Sequence, residues 1–290
     1  TASKNHRAPA FSCSIVAMGK TDAPVVVEGE TFEISQKSVR GRLIEITSFL
    51  SLGLLTGLGL LFRKVHQEGL WSWTLSALGV VMVTKQVWAK RMEATIIPRI
   101  MDQVDQYFEP ARRELLKGIK GKVLDLGCGS GPYLRYYLET SAVSKVVMLE
   151  PNTKMWPILE QNIAEAQKKT SELEVEATSC FIQDLPGGEV FDCVVFGNVL
   201  CEVPDQEEVF CHVNRLLKPG GRVYFSEHTL SSTAVTRFLQ HLASPFWLCH
   251  CNRDSIGKLR QQNWVKELHT WTFGLCFPVN RWELGIAIKA

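Results

Sequence analysis

The segment KVLDLGCGSG places Asp125 at the end of an apolar run and Gly127, Gly129 and Gly131 at alternate positions after it. Glycines permit backbone angles that other residues avoid, and they let a ligand approach the main chain closely. The run departs from the dinucleotide fingerprint, because Pro132 stands at the sixth position of G-x-G-x-x-G. Asp125 ahead of the loop repels a pyrophosphate and attracts an ammonium group. A second apolar run, VVMLEPN, ends in Glu150, 25 residues after Asp125, where an acid accepts hydrogen bonds from both hydroxyls of a ribose. A nucleoside joined to an amino acid satisfies both carboxylates.

These acids need a scaffold that brings strand ends together, and the pattern from residue 121 onward supplies one. Strand-like runs are Lys122 to Leu126, Lys145 to Glu150, Val175 to Phe181, Phe191 to Gly197, Arg222 to Ser226, Val265 to Phe273 and Trp282 to Ile288. Helix-like runs between them are Gly131 to Thr140, Lys154 to Lys169, Asp205 to Leu217, Ser232 to His241 and Asp254 to Gln262. Apolar strands alternating with amphipathic helices predict an α/β fold with a largely parallel sheet covered on both faces, and such folds bind ligands at the carboxyl ends of the strands.

S-adenosylmethionine is a nucleoside joined to an amino acid. DLGCGSG, LEPN, DLP followed by FDCVVFGNVLCEVPD, and LLKPGGRVYFSEH together resemble the class I S-adenosylmethionine-dependent methyltransferases, over about residues 112–290. Within that superfamily ARRELLKGIKG, VLCEV, SEH, PFWLCHCNR and PVNRWELGIA are similar to the membrane-anchored thiol S-methyltransferase branch. The resemblance implies a Rossmann-like seven-stranded sheet. It implies that Asp125, Gly127, Cys128 and Gly129 line the methionine portion of S-adenosylmethionine, that Glu150 holds the ribose, and that Asn198 sits beside the sulfonium. Gly131, Ile182 and Asp184 are expected to bind the cofactor as well. Where many relatives carry an acid for the adenine amino group this chain has Phe181, so either Asp184 substitutes or Phe181 packs on the purine. Trp282 stands about where thiol-methylating relatives have a histidine.

Methyl transfer asks mainly that a nucleophile be held in line with an already activated methyl group. A thiol with a pKa of about 8.5 is mostly protonated near neutrality, so a base or a local positive field helps it. His228, after Glu227 at the end of a predicted strand, is the candidate base; its alternative role is to cap a helix or satisfy a buried carboxylate.

Upstream, residues 92–120 read as an amphipathic linker helix, with Ile97, Ile100, Met101, Val104, Tyr107 and Phe108 at helical spacing. Residues 43–91 hold two uncharged apolar stretches, Ile46 to Phe62 and Leu70 to Val83, separated by RKVHQEG. The first is roughly 25 Å long as a helix, a little short of the ~30 Å hydrocarbon core. Small residues (Gly53, Thr56 and Gly57; Ser72, Ser76 and Gly79) form matching stripes, as in a two-helix membrane hairpin. The alternative is a buried helical hairpin. Residues 1–42 form a polar extension whose first 21 residues carry Lys4, Arg7 and Lys20 and no acid, like the remnant of an organelle-import sequence. The family resemblance points to endoplasmic reticulum or lipid droplets, and the acid-free start to a mitochondrion or plastid.

Composition excludes other classes. With 32 basic against 30 acidic side chains the chain has no long-range field for nucleic acid, and FGNVL lacks the Pro-Pro-aromatic sequel of base-modifying relatives. Nine scattered cysteines read as free thiols in a reducing compartment. Cys249, His250 and Cys251 are adjacent rather than spaced as C-x2-C, so no metal is expected. The partner expected is a small apolar methyl acceptor (a thiol, a quinone precursor or a lipid) that reaches the site from membrane lipid. The alternative function is an accessory subunit of a larger organellar membrane complex that retains the methyltransferase fold.

Overall fold

The computed structural model describes residues 24–34, 63–66, 73–77, 79, 80, 84, 95 and 97–290 except 170–172, 186–189, 248 and 275–280. Most of the two apolar stretches lies outside the described residues. Among the described residues no helix is long and apolar enough to cross a membrane.

A seven-stranded sheet organises the chain. Its strands are β3 (Gly121–Leu126), β4 (Val143–Leu149), β5 (Glu174–Thr178), β6 (Phe191–Gly197), β7 (Leu217–Thr229), β8 (Val265–Gly274) and β9 (Arg281–Lys289). They lie in the order β5-β4-β3-β6-β7-β9-β8. The first five run parallel, and β9 joins β7 and β8 antiparallel. The chain builds outward from β3 through β4 to β5, then returns to lay β6 on the other side of β3. That reversal makes a crevice at the carboxyl ends of β3, β4 and β6, the place where open α/β sheets bind ligands.

Apolar strands fold this way because both faces are covered. In β3, Val123 faces one hydrophobic cluster with Phe108, Leu115, Tyr137 and Trp282, while Leu124 faces another with Val194, Phe210, Phe225 and Leu259. The covering helices are α1 (Ile97–Leu116), α2 (Leu134–Tyr137), α3 (Trp156–Lys169), α4 (Gln206–Leu216), α5 (Ala234–Ala243) and α6 (Ser255–Arg260). Asp205 caps α4 by accepting from the Glu207 N–H at 2.8 Å, and Asp254 caps α6 by accepting from the Gly257 N–H at 3.1 Å. The run expected as a helix from Gly131 to Thr140 is a single turn. Beyond Leu138 the chain turns back to enter β4, with Thr140 Oγ1 accepting from the Ala142 N–H at 3.1 Å.

Part of the polar extension belongs to the folded body. Strands β1 (Val25–Val27) and β2 (Glu30–Phe32) form an antiparallel hairpin that buries Val27, Phe32 and Ile34 in the main core. Its acids Glu28 and Glu30 pair with Arg222 near the start of β7 at 2.8 and 2.9 Å.

Candidate active site at the carboxyl ends of the sheet

The glycine loop follows β3 directly. Asp125, on β3, is buried, and its Oδ2 accepts from the Tyr137 hydroxyl at 2.9 Å. Its Oδ1 has no hydrogen-bond partner among the described residues. Burial pushes its pKa up to about 7; the Tyr137 hydrogen bond opposes this, and the nearby Glu150 charge adds to it. Gly127, Gly129 and Gly131 have φ of 61°, 56° and 81°. A Cβ at Gly127 would meet Val199 Cγ2 at 2.7 Å, whereas one at Gly129 would meet nothing within 4 Å. The loop thus packs tightly on its Gly127 side and presents bare main chain to open space at Gly129.

Glu150 closes the other wall of the cleft. Its Oε2 accepts from the Gly129 N–H at 2.7 Å and its Oε1 from the Asn152 N–H at 2.7 Å. A carboxylate offers about four acceptor sites, the chemistry that a pair of ribose hydroxyls needs. The unpaired Asp125 oxygen, the open approach to Gly129 and the acceptor capacity of Glu150 together fit S-adenosylmethionine. Cys128 is buried, and its N–H bonds to Leu149 O at 2.9 Å, which fixes the loop against β4.

The segment expected to meet the adenine follows β5. Ile182–Asp184 forms a 3-10 turn with Ile182 buried. Asp184 Oδ2 accepts from the Phe181 N–H at 3.3 Å, and Phe181 is 52% exposed. Asp184 therefore braces its own turn, with Phe181 at the rim.

Asn198, just past β6, has φ of 58°. A non-glycine residue in the left-handed region costs energy and is common at functional sites. Its Oδ1 is buried without a partner among the described residues, and its N–H donates to Ser226 O at 3.2 Å.

The end of β7 carries the candidate base. Glu227 is fully buried, and its Oε1 accepts from the Val199 and Leu200 N–H groups at 2.7 and 3.4 Å, tying the turn after β6 to β7. Burial raises its pKa to about 7 against those hydrogen bonds. His228, also buried, has Nε2 at 3.3 Å from Cys249 Sγ. His228 Nδ1 has no partner among the described residues. Cys201 completes this group, with its thiol donating to Asn198 O at 3.3 Å. Cys201 beside it holds the Cys249 thiol well below its ordinary pKa despite burial, and the His228 charge assists. Burial disfavours the charged imidazole, but Cys249 outweighs it and raises the pKa of His228.

Local contacts explain why Cys249 reaches this place. The His250 N–H donates to Cys201 O at 3.2 Å, the Leu230 N–H to Arg253 O at 2.8 Å, and Arg253 Nη1 to Leu200 O at 3.0 Å. This lays residues 249–253 over the turn after β6. Cys249 meets Cys201 and His228 rather than its sequence neighbours, while Cys251 points to Gln240 O.

Other buried residues pack beside this group. The buried Arg112 guanidinium lies over the Phe108 and Tyr133 rings at 5.6 and 5.3 Å and donates to Ser226 Oγ at 3.3 Å. Trp282 Nε1 donates to the same oxygen at 2.9 Å, its ring stacks on Phe108 at 4.9 Å, and it lies 6.1 Å from the His228 ring. Trp282 is thus a packed wall beside His228. Sequence reasoning singled out Trp282 and missed Arg112, which lies in the ARRELL segment, and it did not show that the two share Ser226.

Residues 92–269 match the family model described as a methyltransferase domain. A human thiol S-methyltransferase (TMT1A) is 27% identical over 68% of this chain and 80% of its own length. A rat thiol S-methyltransferase (TMT1B) is 31% identical over 62% and 79%. A mitochondrial methyltransferase of Saccharomyces cerevisiae (OMS1) is 25% identical over 49% and 34%. Among solved structures, the N-methyltransferase NodS from Bradyrhizobium japonicum WM9, in complex with S-adenosyl-L-homocysteine, superposes with a TM-score of 0.51 at 14% identity, over 71% of this chain and 98% of that one. That likeness speaks to the fold alone.

Proposed function

We infer the reaction from a firm premise: the chain belongs to the methyltransferase-domain family and is an S-adenosylmethionine-dependent methyltransferase. Within that class, we propose that it methylates the sulfur of a small apolar thiol while attached to an organellar membrane. The observation that carries the donor side is Glu150 held against the bare Gly129 main chain, across from the partnerless Oδ1 of Asp125. When bound, S-adenosylmethionine supplies a methyl group on a sulfonium that leaves as a neutral thioether. Asp125 faces the ammonium end, Glu150 takes the ribose hydroxyls, and Asn198 lies beside the methyl-bearing centre. Tyr137 and the Asn152 N–H hold the two acids in place, so little reorganisation is needed when the donor arrives.

Likeness to two thiol S-methyltransferases supports a thiol acceptor, as does the group of His228, Cys201 and Cys249 beside Asn198. Attachment rests on the uncharged stretches at 46–62 and 70–83 and on an exposed apolar stripe on α5. The acid-free first 21 residues and the yeast match named mitochondrial favour a mitochondrial membrane over endoplasmic reticulum or lipid droplets. The same features also suit a second reading, a subunit of an organellar membrane assembly.

Calorimetric titration with S-adenosylmethionine tests the donor site, and turnover of a thiol against its hydroxyl isostere tests the acceptor. Absence of binding heat overturns the enzyme reading. Equal turnover of thiol and alcohol overturns the sulfur assignment. Carbonate extraction of membranes tests attachment, since release into the supernatant removes it. Copurification in mild detergent with stoichiometric partners would favour the second reading.

A further inference from the structure

We propose that Cys201, His228 and Cys249 form a zinc site whose fourth coordination position receives the acceptor thiol. The three ligand atoms, Cys201 Sγ, His228 Nε2 and Cys249 Sγ, all lie within 4.8 Å of one another, with 3.3 Å between the His228 nitrogen and the Cys249 sulfur. Around a tetrahedral zinc with Zn–S of about 2.3 Å and Zn–N of about 2.0–2.1 Å, neighbouring ligand atoms sit roughly 3.5–3.8 Å apart. From spacings of at most 4.8 Å, side-chain adjustments of no more than about an ångström close the group on the ion.

The donor set argues for zinc in particular. Two sulfurs and an imidazole are soft to borderline ligands, which disfavours magnesium, calcium and manganese. Two thiolates also neutralise a divalent ion, which suits a place where Cys201 and His228 are buried. Ligands arriving from three separate chain segments, the turn after β6, the end of β7 and the 249–253 segment, give the site a rigid frame.

Among the described residues no fourth His, Cys, Asp or Glu joins the group. Three protein ligands with a free position is the arrangement of catalytic rather than structural zinc. The site shares its turn with Asn198, because Cys201 Sγ bonds to the Asn198 carbonyl. An acceptor sulfur on the metal would therefore sit next to the donor cleft. This role rests on the thiol reading above. A thiol that binds zinc gives up its S–H proton to solvent and is held as the thiolate, so the site needs no separate base. Once the sulfur carries a methyl group it is a neutral thioether, a poorer ligand, and it leaves.

The test uses the full chain purified in mild detergent with a reductant and without chelator. Elemental analysis is expected to find zinc equimolar with protein, and cobalt exchange to produce the thiolate-to-cobalt absorption of a tetrahedral site. Adding thiophenol should shift the cobalt bands. Cys201→Ser and Cys249→Ser should each lose most of the metal while binding S-adenosylmethionine with unchanged affinity, which shows that they fold. Wild-type protein that binds S-adenosylmethionine but takes up neither zinc nor cobalt overturns the metal site, as do variants that retain full zinc. A bound metal whose spectrum thiophenol leaves unmoved overturns the thiol role alone.

Discussion

Glu150 Oε2 accepts a hydrogen bond from the Gly129 main-chain N–H at 2.7 Å, joining the ends of β3 and β4 across the mouth of the cleft. The carboxylate thereby ties the loop to the end of β4 before any donor arrives. Glu150→Gln keeps the size but exchanges charge-assisted hydrogen bonds for neutral ones, a loss of about 1.5–3 kcal/mol. S-adenosylmethionine affinity should fall about 10- to 100-fold in a calorimetric titration. Affinity within twofold of wild type would show that the ribose lies elsewhere.

Two glycines in one loop should fail for different reasons. Gly129→Ala meets open space, so its cost is the left-handed backbone, about 1–2 kcal/mol. It should fold with a modestly lowered melting temperature and lose donor affinity because the methyl occupies the approach. Gly127→Val adds a clash with Val199 to the same backbone cost and should be markedly less stable. A Gly129→Ala protein with undiminished affinity would contradict close approach of the donor at that residue.

Asp125 links donor binding to pH. Its folded pKa of about 7 lies above the 3.8 of an ordinary aspartate, so the folded state holds a proton that the unfolded state has lost between those values. The stability contributed by the neutral carboxyl is complete below the unfolded pKa and is lost as pH rises toward 7. The ammonium end of the donor favours the ionised form. Binding should therefore release protons below about pH 7, seen as a buffer-dependent heat, and affinity should rise with pH up to that point. Asp125→Asn should abolish both the proton release and this part of the stability profile; an unchanged profile would assign it to another group.

The strand runs and the glycine loop were legible because each is local: apolar runs ending in an acid, with glycines at alternate positions. Capping acids Asp205 and Asp254 marked helix starts for the same reason. The convergence of Cys201 and Cys249 on His228 was not legible, although all three stand in the VLCEV, SEH and PFWLCHCNR motifs. It depends on residues 249–253 lying over the turn after β6, which main-chain bonds such as His250 N–H to Cys201 O secure. Long-range hydrogen bonds of that kind leave no periodicity in the sequence. The β1–β2 hairpin was hidden likewise, because short strands inside a polar stretch show too few apolar positions to reveal a pattern.

The hairpin yields its own expectation. The Arg222 side chain is 5% exposed, while Glu28 and Glu30 are 41% and 38% exposed. Removing both acids leaves a nearly buried guanidinium without those partners, which is costlier than losing a surface pair. Because the carboxylates are partly solvated, the penalty should be about 1–3 kcal/mol rather than the larger figure for a dry pair. Glu28→Gln with Glu30→Gln should lower the denaturation midpoint by that amount at low salt. Donor affinity should be unaffected, since Arg222 lies toward the opposite end of β7 from His228. No change in midpoint would mean that apolar burial of Val27 and Phe32 and the hydrogen bonds at the end of α1 hold the hairpin without the Arg222 pairs.

Helix α5 follows β7 and carries Val235, Phe238, Leu239 and Leu242 at spacings of three and four, all exposed, the first two at 73% and 68%. Side chains at that spacing share one face, and a helix with one apolar face suits the headgroup boundary of a bilayer. Such a helix near the site would admit acceptors dissolved in lipid. Phe238→Glu with Leu242→Glu should then raise KM for a long-chain thiol presented in vesicles about 10-fold, the scale of losing one to two kcal/mol of interfacial burial. KM for a short water-soluble thiol and affinity for S-adenosylmethionine should both stay constant. A parallel rise for both thiols would instead place the stripe in the acceptor pocket, and no rise for either would separate α5 from acceptor delivery altogether.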